Sequence, residues 1–437
     1  MTIPNKSAEN HLYKTLASLW WEFLPLSLSD MTMAAGDPII STTLAHLPLS
    51  RLNLAAVGIA KSWAIFLESP IIMILHASNA LAPSAQSRRV LWKFVLLAGG
   101  CLSLLLGLLP LPFIYETLAG KLLGIPANLS DSVRKVLIIM ILWPFAIAWR
   151  RYFQGLLIYD GTTKAIAVGA ISRLIAVTGI LLWGFILKIP GATLAASALI
   201  AGVLVEAVVV TWAAKISGAT LPPETKVLPQ LPTNLSDVWK FYAPLATSML
   251  VVWGGRAILV GIVARAQDAE IALAAWPAAW GLVLVIANAT RMVQQVIIKN
   301  RELIAQRLLI IFALTVGIAC SLMLLLVSAT PIGAGLLFAF FGNDLELVER
   351  VRPVLWLSSA VPMLVAMQNA IQGFLVAQGK TQGVNHSTWA GTIILLVVSS
   401  LAVQLGMNGA LAASLAMLAS LSTEISFLGL NLKILAR

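Results

Sequence analysis

The chain has 437 residues, of which 59% are hydrophobic and only 11% are charged. Soluble domains average roughly 45–50% apolar and 25% charged residues, so this composition excludes an ordinary water-soluble fold. A net charge of +11 is compatible with nucleic-acid binding, but the basic residues lie mainly in short loops between apolar segments. We therefore expect a lipid bilayer as the partner of this chain, and no nucleic acid.

Continuous apolar segments recur along the chain, each near the roughly 20 residues that a helix needs to cross a bilayer core about 30 Å thick. They are rich in Leu and Ala and lack the strict alternation of a transmembrane β-barrel. The sequence therefore predicts an all-α integral membrane protein with twelve transmembrane helices. In chain order these are 19–47, 54–81, 91–115, 133–158, 165–187, 192–214, 241–264, 271–297, 308–328, 354–376, 387–405 and 410–432.

The segments between the helices predict the domain organisation and the orientation. Residues 1–18 are polar and are predicted to form a cytoplasmic N-terminal tail, and the proline-rich segment 217–238 a cytoplasmic linker. The linker separates an N-lobe, 19–216, from a C-lobe, 239–437. Most basic loop residues lie on the side of the N-terminus, so the positive-inside rule places both termini in the cytoplasm, in a bacterial plasma membrane. Segment 331–352 is predicted to be an outer interfacial helix or hairpin.

The two halves of the chain repeat one another. Gln154-Gly155-Leu156-Leu157 matches Gln372-Gly373-Phe374-Leu375 at an offset of 372 − 154 = 218. Six helices in each half make the repeats parallel, so the sequence predicts two pseudo-symmetric six-helix lobes. Further pairs at 218 are Pro144 and Pro362, Gly191 and Gly409, and Glu206 and Glu424; at 219 they are Pro25-Leu26 and Pro244-Leu245, and Leu54-Ala55-Ala56 and Leu273-Ala274-Ala275.

This arrangement resembles a known superfamily. Two six-helix halves, each with a proline in its leading helix and a Gln-Gly signature ending its fourth helix, are similar to the MOP exporters, whose fold is defined by the multidrug and toxic compound extrusion (MATE) transporters. The stretch from Asp30-Met31 through Gly36-Asp37-Pro38 to Glu68-Ser69-Pro70, with Arg150-Arg151, resembles bacterial relatives of the progressive ankylosis (ANK) proteins. The first resemblance implies alternation between inward-open and outward-open states, and the second implies export of organic or phosphate-bearing anions.

Three acidic residues within the first two predicted helices are candidates for ion coupling. Asp37 precedes Pro38 and Glu68 precedes Pro70, and a proline frees a backbone carbonyl beside each carboxylate. Such a pair of oxygens can bind H⁺ or Na⁺, and Asp30 is the third candidate. The alternative is a static ion pair with Lys61 or an arginine.

Intramembrane arginines are the candidate substrate contacts. Arg256 follows Gly254-Gly255 near the middle of the seventh helix, and its planar guanidinium suits a carboxylate or phosphate. Arg291, Asn288 and the pair Arg150-Arg151 are the further candidates. The alternatives are pairing with intramembrane carboxylates and, for Arg150-Arg151, snorkelling to headgroups. Glu206 and Glu424 are equivalent by the repeat, which favours a shared structural task such as pairing with Arg173.

The preferred function is an ion-coupled exporter of small organic or phosphate-bearing anions, expected to be a monomer without a cofactor. A MATE-type proton- or sodium-coupled antiporter of drugs or cations, a flippase for lipid-linked saccharides and a non-transporting scaffold are the alternatives. No nucleophile elbow, phosphate loop or metal-ligand spacing is present in the sequence, so neither an enzyme nor a metal site is predicted. Cys101 and Cys320 lie inside apolar segments and predict packing residues.

Overall fold

The computed structural model describes residues 6–117, 127–221, 231–263, 265–341 and 345–433, and the helices below are those of these ranges. Nearly all of the described residues are helical, and no strand occurs among them. The α-helices are α1 (Lys6–Ala45), α2 (Ser50–Glu68), α3 (Ile74–Leu81), α4 (Ala85–Leu108), α5 (Pro112–Tyr115), α6 (Ala127–Ile139), α7 (Trp143–Asp160), α8 (Thr163–Ile186), α9 (Gly191–Ile216), α10 (Leu235–Val263), α11 (Ala269–Arg291), α12 (Val293–Asn300), α13 (Gln306–Ala329), α14 (Pro331–Phe341), α15 (Leu345–Leu357), α16 (Val361–Ala377), α17 (Thr381–Gln404) and α18 (Gly409–Lys433).

Eleven segments of the described chain are long and apolar enough to cross a membrane. They coincide with eleven of the twelve helices predicted from the sequence. The remaining predicted helix, 19–47, corresponds to residues 19–45 of the 40-residue helix α1, whose apolar run is interrupted by acidic residues. The short apolar segment after α13 forms α14, so residues 331–341 are helical. The central part of the predicted linker, residues 222–230, lies outside the described residues.

Prolines divide several of the predicted helices. The second predicted helix is α2 followed by a 3₁₀ turn, Ser69–Ile71, and by α3. Pro70 has no backbone N–H to donate, and a broken helix inside a bilayer must find new partners for the carbonyls it frees. The hydroxyl of Tyr242 donates to the Pro70 carbonyl oxygen at 2.7 Å, and the Ser69 hydroxyl donates to the Phe66 carbonyl oxygen at 2.8 Å. The break therefore leaves these carbonyls satisfied.

Hydrogen bonds between side chains and the backbone recur at positions that the sequence repeat makes equivalent. The Phe145 N–H donates to the Ser103 hydroxyl at 3.0 Å, and the Met363 N–H donates to the Ser321 hydroxyl at 3.0 Å, with both residues shifted by 218. Arginines cap the spans in the same way: Arg134 Nε donates to the Pro110 carbonyl oxygen at 2.9 Å, and Arg352 Nε to that of Ser328 at 2.8 Å. The two halves thus share an internal design of side-chain to backbone bonds.

The chain divides into two compact units. The N-terminal unit comprises Leu28–Ala246, and the C-terminal unit comprises Met1–Ser27 together with Thr247–Arg437. Helix α1 begins in the C-terminal unit, where Trp20 and Phe23 pack edge to face on Phe312 of α13 with ring centroids 6.0 and 5.7 Å away. Trp20 and Phe23 of α1 thus pack with a helix of the second half of the sequence, an arrangement that reading the chain in order does not predict. The lobe boundaries 19–216 and 239–437 stay a prediction.

Gly155 allows close packing of α7 on α3. A Cβ atom at this position would lie 2.4 Å from the Ser78 Cβ and 2.8 Å from the Leu75 carbonyl oxygen, so the helices could not keep their separation. Gly155→Ala should therefore lower the free energy of unfolding by about 1–3 kcal/mol, the usual cost of overpacking. Gly100→Ala in α4 is the matched control, because nothing lies within 4 Å of its added Cβ. Unfolding of the purified proteins in SDS measures both, and equal stability of the two variants would contradict the packing.

Candidate functional site

A buried ion cluster in the N-terminal unit joins three helices. Arg150 of α7 donates through Nη1 to Glu206 Oε2 of α9, and both side chains are 0% exposed. Arg173 Nη1 of α8 lies 3.4 Å from the same oxygen, and Gln154 Nε2 donates to the other carboxylate oxygen at 3.0 Å. The pairing of Arg173 with Glu206 expected from the sequence is therefore present. Two guanidiniums share one carboxylate, which leaves an excess positive charge in the unit's interior.

Arg150 and Arg151 differ although they are neighbours in sequence. Arg150 is wholly buried against Glu206, so the interpretation that it snorkels to headgroups is wrong. Arg151 is half-buried, and its Nη1 lies 3.4 Å from the Gln154 amide oxygen. Its Nε is buried and has no hydrogen-bond partner among the described residues. The two neighbouring arginines thus have different partners, Glu206 for Arg150 and Gln154 for Arg151.

The candidate coupling carboxylates lie in the same unit. Glu68 is the last residue of α2, and its Oε2 accepts a hydrogen bond of 2.8 Å from Trp143 Nε1, at the start of α7. Asp30, in α1, and Glu68 are among the carboxylates whose charges act on the Arg151 guanidinium. Asp37 also belongs to α1, but its side chain lies outside the described part of the structure. Asp30 and Glu68 thus belong to the same charged region of the unit as Arg151.

The C-terminal unit replaces the ion cluster by a more neutral one. Glu424 of α18, the counterpart of Glu206, accepts a hydrogen bond from the Gln368 amide, the counterpart of Arg150. The counterpart of Arg173 is Gly391 (391 − 173 = 218), and a Cβ atom there would lie 2.3 Å from the Glu424 Cγ. Among the described residues of this unit, no arginine lies within salt-bridge distance of Glu424. The same backbone positions therefore hold one carboxylate with two arginines in one unit and one carboxylate with an amide in the other.

Arg256 is the central basic residue of the C-terminal unit. Its guanidinium lies 5.5 Å from the centroid of the Trp253 ring, three residues earlier on α10, within the range of a cation–π interaction. Gly255 packs α10 onto α17, since a Cβ there would lie 2.6 Å from the Thr392 Cγ2. Within the described part of this unit, no carboxylate lies within salt-bridge distance of Arg256 or of Arg291. The static ion pair that the sequence left open for these arginines is thus not formed there.

The neighbours of Arg256 leave it with a positive environment. The charges that act on it most are those of Arg291, at the end of α11, and of Glu424. Arg291 is exposed and Asn288, one helical turn earlier, is half-buried. Two guanidiniums and one carboxylate give a local excess of one positive charge. Such a group of donors suits an anion, because each guanidinium can donate two parallel hydrogen bonds to a carboxylate or phosphate.

Solved structures with the same architecture cover almost the whole chain. A multidrug resistance MATE family transporter of the MOP superfamily in an outward-facing conformation matches with a TM-score of 0.76, at 15% identity over 96% of each chain. A Vibrio cholerae MATE transporter matches with a TM-score of 0.75, at 15% identity over 95% of this chain and 97% of that one. The chain has the MATE fold. A MOP superfamily transporter from Pyrococcus furiosus, described as having a binding pocket of reverse polarity, shares the MATE fold at a TM-score of 0.69 and 13% identity over 94% of each chain.

The MATE fold confirms the predicted class, an all-α protein of twelve transmembrane helices in two lobes, and with the eleven apolar segments it makes the chain a multi-pass membrane protein. No family model and no curated protein sequence matches the chain. The finer resemblance to ANK relatives stays a prediction.

Two tryptophans that contact charged side chains in this MATE-fold protein were not identified from the sequence. Trp253 and Trp143 contact Arg256 and Glu68, respectively. The spacing of three residues between Trp253 and Arg256 on one helix is a signal that could have found the first pair. The second pair is 75 residues apart, so only the folded chain brings it together.

Proposed function

We propose that the protein is a secondary active transporter that works by alternating access and exports small organic or phosphate-bearing anions, coupled to H⁺ or Na⁺. The MATE fold supports transport rather than enzyme catalysis, since the solved proteins that share it are named as transporters. We expect a monomer in a bacterial plasma membrane with both termini in the cytoplasm, as the distribution of basic loop residues indicates.

The surroundings of Arg256 are the observation that supports an anionic substrate. A charged side chain at the middle of a membrane helix is costly, by at least about 2.5–3.5 kcal/mol on insertion scales, and usually pairs with an opposite charge. In its own unit Arg256 contacts the Trp253 ring and is acted on by the charges of Arg291 and Glu424, and no carboxylate of the described residues lies within salt-bridge distance of it. An anionic substrate would supply the missing partner. The description of the Pyrococcus furiosus protein, whose pocket of reverse polarity suggests a different function, supports the view that one fold can host sites of either sign.

Comparison of excreted small molecules tests the substrate class. Cells with and without the protein should differ in the external concentration of one or a few carboxylated or phosphorylated metabolites, which mass spectrometry of the medium would identify. Altered tolerance to cationic drugs with an unchanged anion profile would favour the MATE-type drug or cation antiporter instead. Altered lipid-linked saccharide in the outer leaflet would favour the flippase.

Ion coupling is assigned to Glu68, with Asp30 and Asp37 as the other candidate carboxylates. Glu68→Gln keeps the hydrogen bond with Trp143 but removes the negative charge that a proton or sodium ion would neutralise. In proteoliposomes, a pH or Na⁺ gradient should accelerate anion transport by the unaltered protein, and this acceleration should be lost in Glu68→Gln while exchange down the anion gradient persists. Glu116→Gln, at an exposed carboxylate, is the control. Full gradient dependence in Glu68→Gln would remove Glu68 from the coupling mechanism.

A further inference from the structure

An apolar groove runs along the outer surface of the N-terminal unit between α7 and α9. Its volume is about 460 Å³, and its walls include Phe145 and Trp149 of α7 and Leu204, Val208 and Trp212 of α9. Val208 and Trp212 are 68% and 66% exposed on a membrane-spanning helix. Such exposed apolar surface on a spanning helix is suited to contact lipid.

The groove and the Arg150–Glu206 cluster lie on different faces of α9, as the number of residues per helical turn shows. At 3.6 residues per turn, Val208 lies about 200° around α9 from Glu206, which points into the unit. Leu204, Val208 and Lys215 follow spacings of four and seven residues, so they share one stripe of α9. The groove therefore opens on the face of α9 opposite to the Arg150–Glu206 pair.

The uncharged polar side chains in the groove wall, Trp149 and Thr211, form their hydrogen bonds within the protein. Trp149 Nε1 donates to the Thr211 hydroxyl oxygen at 2.9 Å, and the Thr211 hydroxyl donates to the Ala207 carbonyl oxygen at 2.6 Å. These bonds consume the donors that would otherwise attract water. The remaining surface is apolar and suits a hydrocarbon chain, which needs no hydrogen bonds.

One end of the groove is charged. Lys215 lines it, is exposed and lies in the last turn of α9. Across the part of the chain that the structure describes, no carboxylate lies within salt-bridge distance of Lys215. Leu204 and Lys215 are eleven residues apart, which is about 16 Å along a helix at 1.5 Å per residue. This length equals about half of a bilayer core roughly 30 Å thick, so the groove is long enough for the acyl chain of a lipid in one leaflet.

We propose that this groove binds one acyl chain of an anionic phospholipid, with the lipid phosphate against the Lys215 ammonium group. The orientation predicted from the basic loop residues places Lys215 in the cytoplasmic leaflet, which carries the anionic lipids that attract basic side chains near the membrane surface. Trp212, one turn before Lys215, suits the interface between the acyl chains and the headgroups. The lipid is a bound component of the protein and is distinct from its transported substrate.

Native mass spectrometry of the full-length protein, titrated with phosphatidylglycerol or phosphatidylcholine of identical chains, tests the proposal. The unaltered protein should bind phosphatidylglycerol more tightly than phosphatidylcholine. Lys215→Ala should weaken phosphatidylglycerol binding about fivefold, the effect of one lysine near the headgroups, and weaken phosphatidylcholine binding less, because the choline cation already neutralises the phosphate of that lipid. Val208→Trp should weaken both lipids, because the larger ring fills the groove from an exposed position that tolerates it.

Two matched variants separate this site from general effects. Lys164→Ala removes an exposed lysine at the start of α8, on the same predicted side of the membrane but outside the groove. Ile175→Trp adds a ring at a residue of α8 that is 67% exposed. Neither should change lipid binding. Equal affinity of the unaltered protein for the two lipids, unaltered binding in Lys215→Ala or in Val208→Trp, equal losses in the control variants, or a second copy of the chain in place of lipid would each overturn the proposal.

Discussion

Arg256→Gln is expected to abolish anion export while the protein is still produced and inserted in the membrane. The guanidinium supplies charge-assisted hydrogen bonds that contribute about 1.5–3 kcal/mol each, so its loss should reduce transport by roughly 10- to 150-fold or more. Insertion should not suffer, because the substitution removes a charge from the membrane and breaks no salt bridge among the described residues of its unit. Uptake of the identified anion into inverted vesicles measures the effect.

Two further variants define the role of Arg256. Arg256→Lys keeps the charge but lacks the planar fork, so transport should fall less than in Arg256→Gln, with the larger effect on apparent affinity. Arg307→Gln alters an exposed arginine at the start of α13 and should transport like the unaltered protein. Normal transport by Arg256→Gln would remove the anion site proposed at this position.

Glu206→Gln should lower the free energy of unfolding by about 3–5 kcal/mol, the usual cost of breaking a buried ion pair by removing one partner. Glu206 is 0% exposed and accepts hydrogen bonds from Arg150 and Gln154, with Arg173 3.4 Å away. Its replacement would leave two guanidiniums together without a counter-charge in the interior. Unfolding in SDS, followed by the loss of helical signal, measures the change.

The repeat supplies the control for this experiment. Glu424→Gln removes the equivalent carboxylate of the C-terminal unit, where the hydrogen-bond partner is Gln368. Because an amide pair can replace an amide–carboxylate pair, we expect a loss of about 1 kcal/mol or less there. The double variant Arg150→Gln with Glu206→Gln should recover part of the stability lost in Glu206→Gln, which a double-mutant cycle quantifies. Equal effects of Glu206→Gln and Glu424→Gln would show that the arginines do not determine the cost.

The clusters around Glu206 and Glu424 differ at two positions that the repeat makes equivalent. Position 150 holds Arg and its repeat position 368 holds Gln, while 173 holds Arg and 391 holds Gly. The conserved architecture of Ser103 with Phe145 and Ser321 with Met363 shows that the backbone design is shared. Among the described residues, the buried arginine–carboxylate cluster therefore belongs to the N-terminal unit, although the two units share these side-chain to backbone bonds.

The sequence by itself determined the class of the protein and its internal repeat. Apolar segments of fixed length are required by the thickness of the bilayer, and they are visible without any knowledge of contacts. The sequence also indicated a freed backbone carbonyl near Pro70, because proline lacks an N–H, but it predicted one continuous helix over 54–81, and the break into two helices is seen only in the structure. The pairing of Arg173 with Glu206 was suggested by the repeat, because the equivalence of Glu206 and Glu424 favoured a structural task for these carboxylates.

Only the tertiary structure decided which partner each charged side chain has. Arg150 and Arg151 are adjacent in sequence, but a step of about 100° around α7 turns the first onto Glu206 and places Nη1 of the second 3.4 Å from the Gln154 amide oxygen. Glu68 finds Trp143 across 75 residues. These partners are set by how helices pack, and hydropathy carries no information about the direction in which a residue on a uniformly apolar helix points.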